Sequence, residues 1–132
     1  MDRLRAIALD DHSAFRKSLR NLMSPYEFIQ IASEAGSAEE ALKAVEKHQP
    51  HLAIVDIHLK GMNGFDFARI VKQRYPQTQV VFISLYDNSS NMREAARLGF
   101  AYVPQESLME KLPTVLEEVR KKVEAISIEH NR

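Results

Sequence analysis

At 132 residues the chain has the length of one domain around one core, too short for a kinase-sized enzyme. Eighteen Lys and Arg balance eighteen Asp and Glu, 45% of residues are hydrophobic and none is Cys, which excludes a disulfide frame, a thiolate metal site, a thiol nucleophile and a generally basic nucleic-acid surface. Apolar runs such as Leu52-Ala53-Ile54-Val55 fall far short of the ~20 residues that span a bilayer, no secretory signal opens the chain, and the expectation is a soluble, cytoplasmic domain.

In chain order, Leu4 to Leu9 is a short apolar run of the kind that forms a buried strand. Phe15, Leu19, Leu22 and Met23 then recur at helical spacing until Ser24-Pro25 stops them. Phe28 to Ala32 reads as a second strand. Ser37 with Glu40 forms a capping box, Ala38, Ala41, Leu42 and Val45 give the helix behind it one apolar face, and Pro50 bounds its end. Leu52 to Val55 is a third strand, followed by a helix marked by Phe67, Ile70 and Val71 and ended by Pro76. After a fourth strand, Val80 to Ile83, a weaker helical pattern uses Met92, Ala95 and Ala96, and Gly99 is placed to take the left-handed conformation behind it. Phe100 to Val103 is the fifth strand. Met109, Leu112, Val115, Leu116 and Val119 read as the core face of a last helix, which continues to Val123 and tolerates Pro113 only near its first turn. Residues 1–126 are expected to form one domain and 127–132 a tail or the start of a linker.

Strands alternating with helix-length segments imply right-handed βαβ units and a (βα)5 doubly wound parallel sheet covered on both faces. In such sheets ligands bind beyond the carboxyl ends of the strands. There stand Asp10 and Asp11 after the first strand, Asp56 after the third, Ser84 after the fourth and Gln105 after the fifth. In the flavodoxin-like order 2-1-3-4-5, strands one and three are central neighbours, and three carboxylates converge on one crevice. Such a cluster repels itself unless a hard cation sits in it, and all-oxygen ligands with room for water suit Mg²⁺ better than zinc. A carboxylate held beside Mg²⁺ also serves as a nucleophile toward phosphorus, and Asp56 is the natural one. Taken singly, an Asp at a strand-to-helix junction is more often an N-cap, Ser84 a turn residue and Tyr102 a core residue.

Five segments carry a resemblance: Ala8-Leu9-Asp10-Asp11-His12, Leu52-Ala53-Ile54-Val55-Asp56, Gly61-Met62-Asn63-Gly64, Val81-Phe82-Ile83-Ser84 and Gly99-Phe100-Ala101-Tyr102-Val103-Pro104. In this order and spacing the sequence resembles the receiver domains of two-component response regulators, from Leu4 to about Glu124. The resemblance implies that Asp56 accepts a phosphoryl group from a histidine kinase or phosphotransfer protein. It implies that Asp10, Asp11 and Asp56 hold Mg²⁺ with the backbone carbonyl of His58, and that Ser84 contacts the phosphoryl group and forms a coupled switch with Tyr102. In that family the side chain at His58 stands beside the phosphoryl group and tunes its hydrolysis. The chain departs from the family at Lys60, where Pro is usual, and at Gln105, where the phosphate-pairing Lys is replaced by a neutral amide. Leu85 is larger than the Ala common next to the switch Ser.

Ser84-Leu85-Tyr86-Asp87 and the segment from Gly99 to Pro104 are most similar to receivers that precede a helix-turn-helix DNA-binding module, so transcription regulation is the expected context. DNA contact is expected only through a module that this sequence does not contain, and no membrane contact is expected. The face formed by the last two helices is where such receivers dimerise. Two other classes compete: a pseudo-receiver that binds partners without phosphate, suggested by Gln105, and, remotely, a small Mg²⁺-dependent aspartyl phosphatase. The phosphatase reading is weakened by His58 standing where a second Asp is required. It would turn over an external substrate, whereas a receiver catalyses at most its own phosphoryl transfer and dephosphorylation. His48 and His51 flank Pro50 and read as surface residues.

Overall fold

The structure is a computed structural model that describes residues 3–57, 59, 62–84 and 89–130, with backbone only for 89 and 127–130. Strands β1 (Leu4–Leu9), β2 (Ile29–Ala35), β3 (Leu52–Asp56), β4 (Gln79–Ser84) and β5 (Ala101–Pro104) alternate with helices α1 (Ser13–Met23), α2 (Ala38–His48), α3 (Gly64–Arg74), α4 (Ser89–Leu98) and α5 (Leu108–His130). The strands form one sheet in the order β2-β1-β3-β4-β5, parallel at every pairing. This is the (βα)5 flavodoxin-like architecture that the alternation of elements predicts.

The pleat divides the apolar strands between two cores. Ala6, Ala8, Leu52, Ile54, Val81 and Ile83 pack with Leu19 and Met23 of α1 and with Leu108, Leu112, Leu116 and Val119 of α5. Their strand neighbours Ile7, Leu9, Ala53, Val55, Val80 and Phe82 pack with Val45 of α2, Phe67 and Val71 of α3 and Ala95 of α4. Both faces of the central strands are therefore dry, which is why these strands read as continuous apolar runs and not as alternation.

The two edge strands depart most from their expected limits. β2 runs through Ser33 and Glu34 to Ala35, past the end of the apolar run at Ala32, because an edge strand needs burial on fewer sides. The carboxylate of Glu34 is matched there by Arg16, 3.3 Å away, and by Arg20. β5 is shifted one residue onward and ends on Pro104, which an edge strand tolerates because it lacks a second neighbour to receive an N–H.

The helix ends follow the sequence signals closely. The Ser37 hydroxyl accepts the N–H of Glu40 at 3.2 Å, while the Glu40 carboxylate accepts the N–H of Gly36, one residue before the cap. Gly99 takes φ of +82°. The N–H groups of Gly99 and Phe100 donate to the carbonyls of Ala96 and Ala95 at 3.1 and 2.8 Å, the paired bonds of a Schellman cap.

Two expectations for α5 are corrected. Met109 is 78% exposed, because the helix starts at Leu108 and its buried stripe runs through Leu108, Leu112, Leu116 and Val119. Pro113 lies beyond the first turn, inside the helix. The backbone donor it cannot supply would have met the carbonyl of Met109, an exposed residue, which limits the cost of the missing bond.

His51 is also more than a surface residue. Its Nδ1 accepts the backbone N–H of Arg5 at 2.9 Å, its own N–H donates to the Arg5 carbonyl at 2.8 Å, and its carbonyl accepts the N–H of Gln79 at 2.8 Å. The Arg5 guanidinium in turn donates to the carbonyls of His48 and Gln49 at the end of α2. His51 therefore joins β1, β3 and β4 at the end of the sheet opposite the carboxylates. Burial, and then the charge of Arg5, hold its pKa below the ordinary 6.5. The unfolded chain thus takes up this proton more readily, so the contribution of His51 is complete above pH 6.5 and is lost as pH falls toward the folded value. Urea unfolding across this range should show a loss of midpoint on acidification that is diminished in His51→Asn, whose amide oxygen can accept the same N–H at any pH; parallel profiles would remove His51 as the cause.

Candidate functional site

Leu9 and Val55 are register partners in the β1–β3 ladder, and each is followed by an Asp. Asp10, 5% exposed, is held by its backbone N–H, which donates to the Ala35 carbonyl at 3.1 Å. Its Oδ1 accepts the backbone N–H of His12 at 2.7 Å, an Asx turn that shapes the loop into α1. The Arg16 guanidinium donates to the Asp10 carbonyl from the first turns of α1. Arg16, Glu34 and Arg20 thereby brace the loop from outside the carboxylate cluster.

One oxygen from each of Asp10, Asp11 and Asp56 and one ring nitrogen of His12 lie within 4.8 Å of one another. At that separation two carboxylates repel by about 3 kcal/mol in a surroundings of effective dielectric ~20. The capping role that competes for an Asp at such a junction does not account for Asp11. The N-cap of α1 is His12, with no side-chain capping bond, and Asp11 Oδ1 is shut off from solvent with no hydrogen-bond partner among the described residues. His12 Nδ1 stands 2.9 Å from that oxygen, close but not aligned as a hydrogen bond. A buried, unsatisfied anionic oxygen among other carboxylates fits a hard divalent cation, and three oxygen donors fit Mg²⁺.

The other expected site residues gather at the same end of the sheet. Asp56 is half-buried at the end of β3 and its register partner is Ile83; Ser84, fully buried, follows immediately. Pro104 is the partner of Ser84, and Gln105 opens the turn just beyond it, half-buried. Tyr102 is half-buried and packs with the core that includes Phe82. His58, Lys60, Gly61, Leu85, Tyr86 and Asp87 lie outside the described residues. His12 was legible only as a member of the Asp10-Asp11-His12 run, with no role attached. Its adjacency to two carboxylates on a strand-to-helix loop was the signal available.

The start of α3 makes a close backbone approach to the end of β3. Gly64 donates to the carbonyl of Ile57 at 3.3 Å, and a Cβ there would stand 2.9 Å from the Asp56 carbonyl oxygen and 3.0 Å from Ile57 Cα. Asn63 caps α3 by accepting the N–H of Asp66 at 2.9 Å, a cap the helical periodicity alone did not reveal.

A parallel (βα)5 sheet with an acidic pocket at the ends of its two central strands is a doubly wound domain with its candidate ligand site at the switch point of the strand order. The chain belongs to the family described as response regulator receiver domain, whose profile matches residues 6–117. It is 26% identical over 98 residues to the transcriptional regulatory protein DegU of Brevibacillus brevis, covering 74% of this chain and 42% of that protein. It is 34% identical over 93 residues to the transcriptional activator protein ExaE of Pseudomonas putida, covering 70% and 44%. The chain thus spans less than half the length of these relatives. Among solved structures, the isolated receiver domain of RcsB from Salmonella enterica superposes with a TM-score of 0.84 at 17% identity, covering 94% of this chain and 98% of that one. The receiver domain of NarL from Mycobacterium tuberculosis superposes with 0.82 at 24% identity, covering 91% and 98%.

Because the methyl group of Gly64→Ala would meet backbone rather than a flexible side chain, the substitution should destabilise the fold by about 1–3 kcal/mol. It should also shift the amide signals of Asp56 and Ile57, read by denaturation and by NMR; an unperturbed spectrum would show that the approach is not a constraint.

Proposed function

We propose that Asp56 is the phosphoacceptor of this receiver domain and that Asp10, Asp11 and Asp56, with the backbone carbonyl of His58, hold Mg²⁺. The observation that supports this is the convergence of three carboxylates at the ends of β1 and β3, one of them with a buried oxygen that has no hydrogen-bond partner among the described residues. When bound, Mg²⁺ neutralises charge on the transferring phosphoryl group. In the transfer, an Asp56 carboxylate oxygen forms a bond to phosphorus as the bond from phosphorus to the donor imidazole breaks, and the donor leaves as histidine. Ser84 is the group for a phosphoryl oxygen, being the buried residue next after the register partner of Asp56, and with Tyr102 it forms the switch. The chemistry is performed on the protein itself, as self-phosphorylation and self-dephosphorylation. A histidine kinase or phosphotransfer protein is the donor, and phosphorylation governs homodimerisation or an output in transcription regulation. The site of action is the cytoplasm, where such kinases present their phosphohistidine. Residues 1–126 are the receiver unit and 127–132 a tail or linker start, α5 running past that boundary to His130.

Incubation with a small phosphodonor and Mg²⁺ should add one phosphoryl group, located on Asp56 by mass spectrometry and lost in Asp56→Asn. Undiminished labelling of that variant would overturn the assignment. Asp11→Ala should abolish Mg²⁺ binding, followed by NMR titration.

Gln105 favours a second reading, a domain that keeps the pocket but switches without phosphate. A Lys at ~3 Å from one phosphoryl charge attracts it by about 5 kcal/mol at an effective dielectric of ~20, before desolvation. About 1.5–3 kcal/mol of that survives as a charge-assisted hydrogen bond, so its loss weakens switching by roughly ten- to a hundredfold. Gln105→Lys should leave the fold intact and enlarge the phosphate-dependent shifts at Ser84 and Tyr102. A full transition in the natural protein, with nothing added by the substitution, would discard the phosphate-independent reading.

A further inference from the structure

We infer that Arg16 is a positioning residue of the acidic pocket, setting through the Asp10 carbonyl the direction in which Asp10 and Asp11 present their oxygens. This rests on the pocket being a cation site. The Arg16 guanidinium serves two acceptors at once: Nη1 donates to the Asp10 carbonyl, and Nε donates to the Glu34 carboxylate at 3.3 Å. That carbonyl belongs to the peptide unit joining Asp10 to Asp11. The unit is planar, so a donor fixed on its oxygen restrains the plane and with it the starting direction of both side chains.

Two further features give this restraint its weight. Hydrogen bonding does not aim the buried Oδ1 of Asp11, which has no partner among the described residues, so its direction is inherited from the backbone that carries it. The N–H of Asp10 is held by Ala35 at 3.1 Å and its Oδ1 accepts the N–H of His12 at 2.7 Å, which leaves the peptide plane beyond Asp10 to Arg16. Arg16 is itself well fixed. Its side chain is 19% exposed and that of Glu34 21%, and Arg20 grips the same carboxylate from the next turn of α1. A guanidinium fork can meet a carbonyl and a carboxylate together, whereas a Lys ammonium is one centre on a flexible stem.

The direction of the effect separates positioning from charge. A positive charge beside the pocket opposes cation binding, so its loss alone raises affinity, whereas loss of the restraint lowers it. Arg16→Lys, which keeps the charge, and Arg16→Met, which removes it, should both weaken Mg²⁺ binding at least about tenfold, measured by calorimetry on the whole chain with no phosphodonor. Lys17→Met, which removes the exposed charge one residue on, should leave the affinity unchanged or raise it. The amide nitrogen of Asp11, in the restrained peptide unit, should shift in the NMR spectrum of Arg16→Lys and stay in place in Lys17→Met. Natural affinity in folded Arg16→Lys, or raised affinity in folded Arg16→Met, would overturn the inference. If the natural protein binds no Mg²⁺, the cation reading of the pocket fails by itself; the Asp11 amide then decides whether Arg16 orients the peptide, and an unmoved signal in Arg16→Lys overturns that as well.

Discussion

Leu9 and Val55 face one another across the β1–β3 ladder, and because the ladder is parallel both strands run out at the same side of the sheet. Everything at the acidic end follows from that pairing. A slip by one residue would turn Ala8 and Ile54 toward the wrong core and carry their buried partners with them, since the two faces pack against different helices. The register that satisfies the apolar side chains is thus the one that brings Asp10 beside Asp56. Core and chemistry are not separate achievements of the sequence.

The carboxylates nonetheless need holding, and the structure does this with backbone more than with opposing charge. Asp10 is tied by its N–H to β2 and by its carbonyl to Arg16, while Arg16 and Arg20 pair with Glu34. On the other strand, the tight approach of Gly64 fixes the backbone of Asp56 and Ile57. The resulting pocket gathers three carboxylates on a backbone held from both central strands.

The central strands, the parallel order and the three carboxylates were legible because each rests on a run of residues with one physical meaning: unbroken apolar stretches for strands dry on both faces, and acids where such strands end. Legibility failed where a residue's role depends on a partner distant in the chain. Glu34 lies in an edge strand with its carboxylate matched by Arg16 and Arg20, partners well before it in the chain. His51 is structural because Arg5, across the ladder, offers it an N–H. Met109 has the spacing of a core residue but lies off the buried stripe, which depends on where α5 begins. The position of His12 against Asp10 and Asp11 follows from an Asx turn, which periodicity does not report.

The three-strand junction at His51 has a mechanical consequence for the far side of the sheet. Strands β1, β3 and β4 are fastened together at one end, like staves held by a hoop, while like charges push apart the groups at the other. Repulsion acting on strands clasped in this way is resisted by every ladder bond between the hoop and the charges. The acidic end is thus carried on a sheet already clasped at its other end.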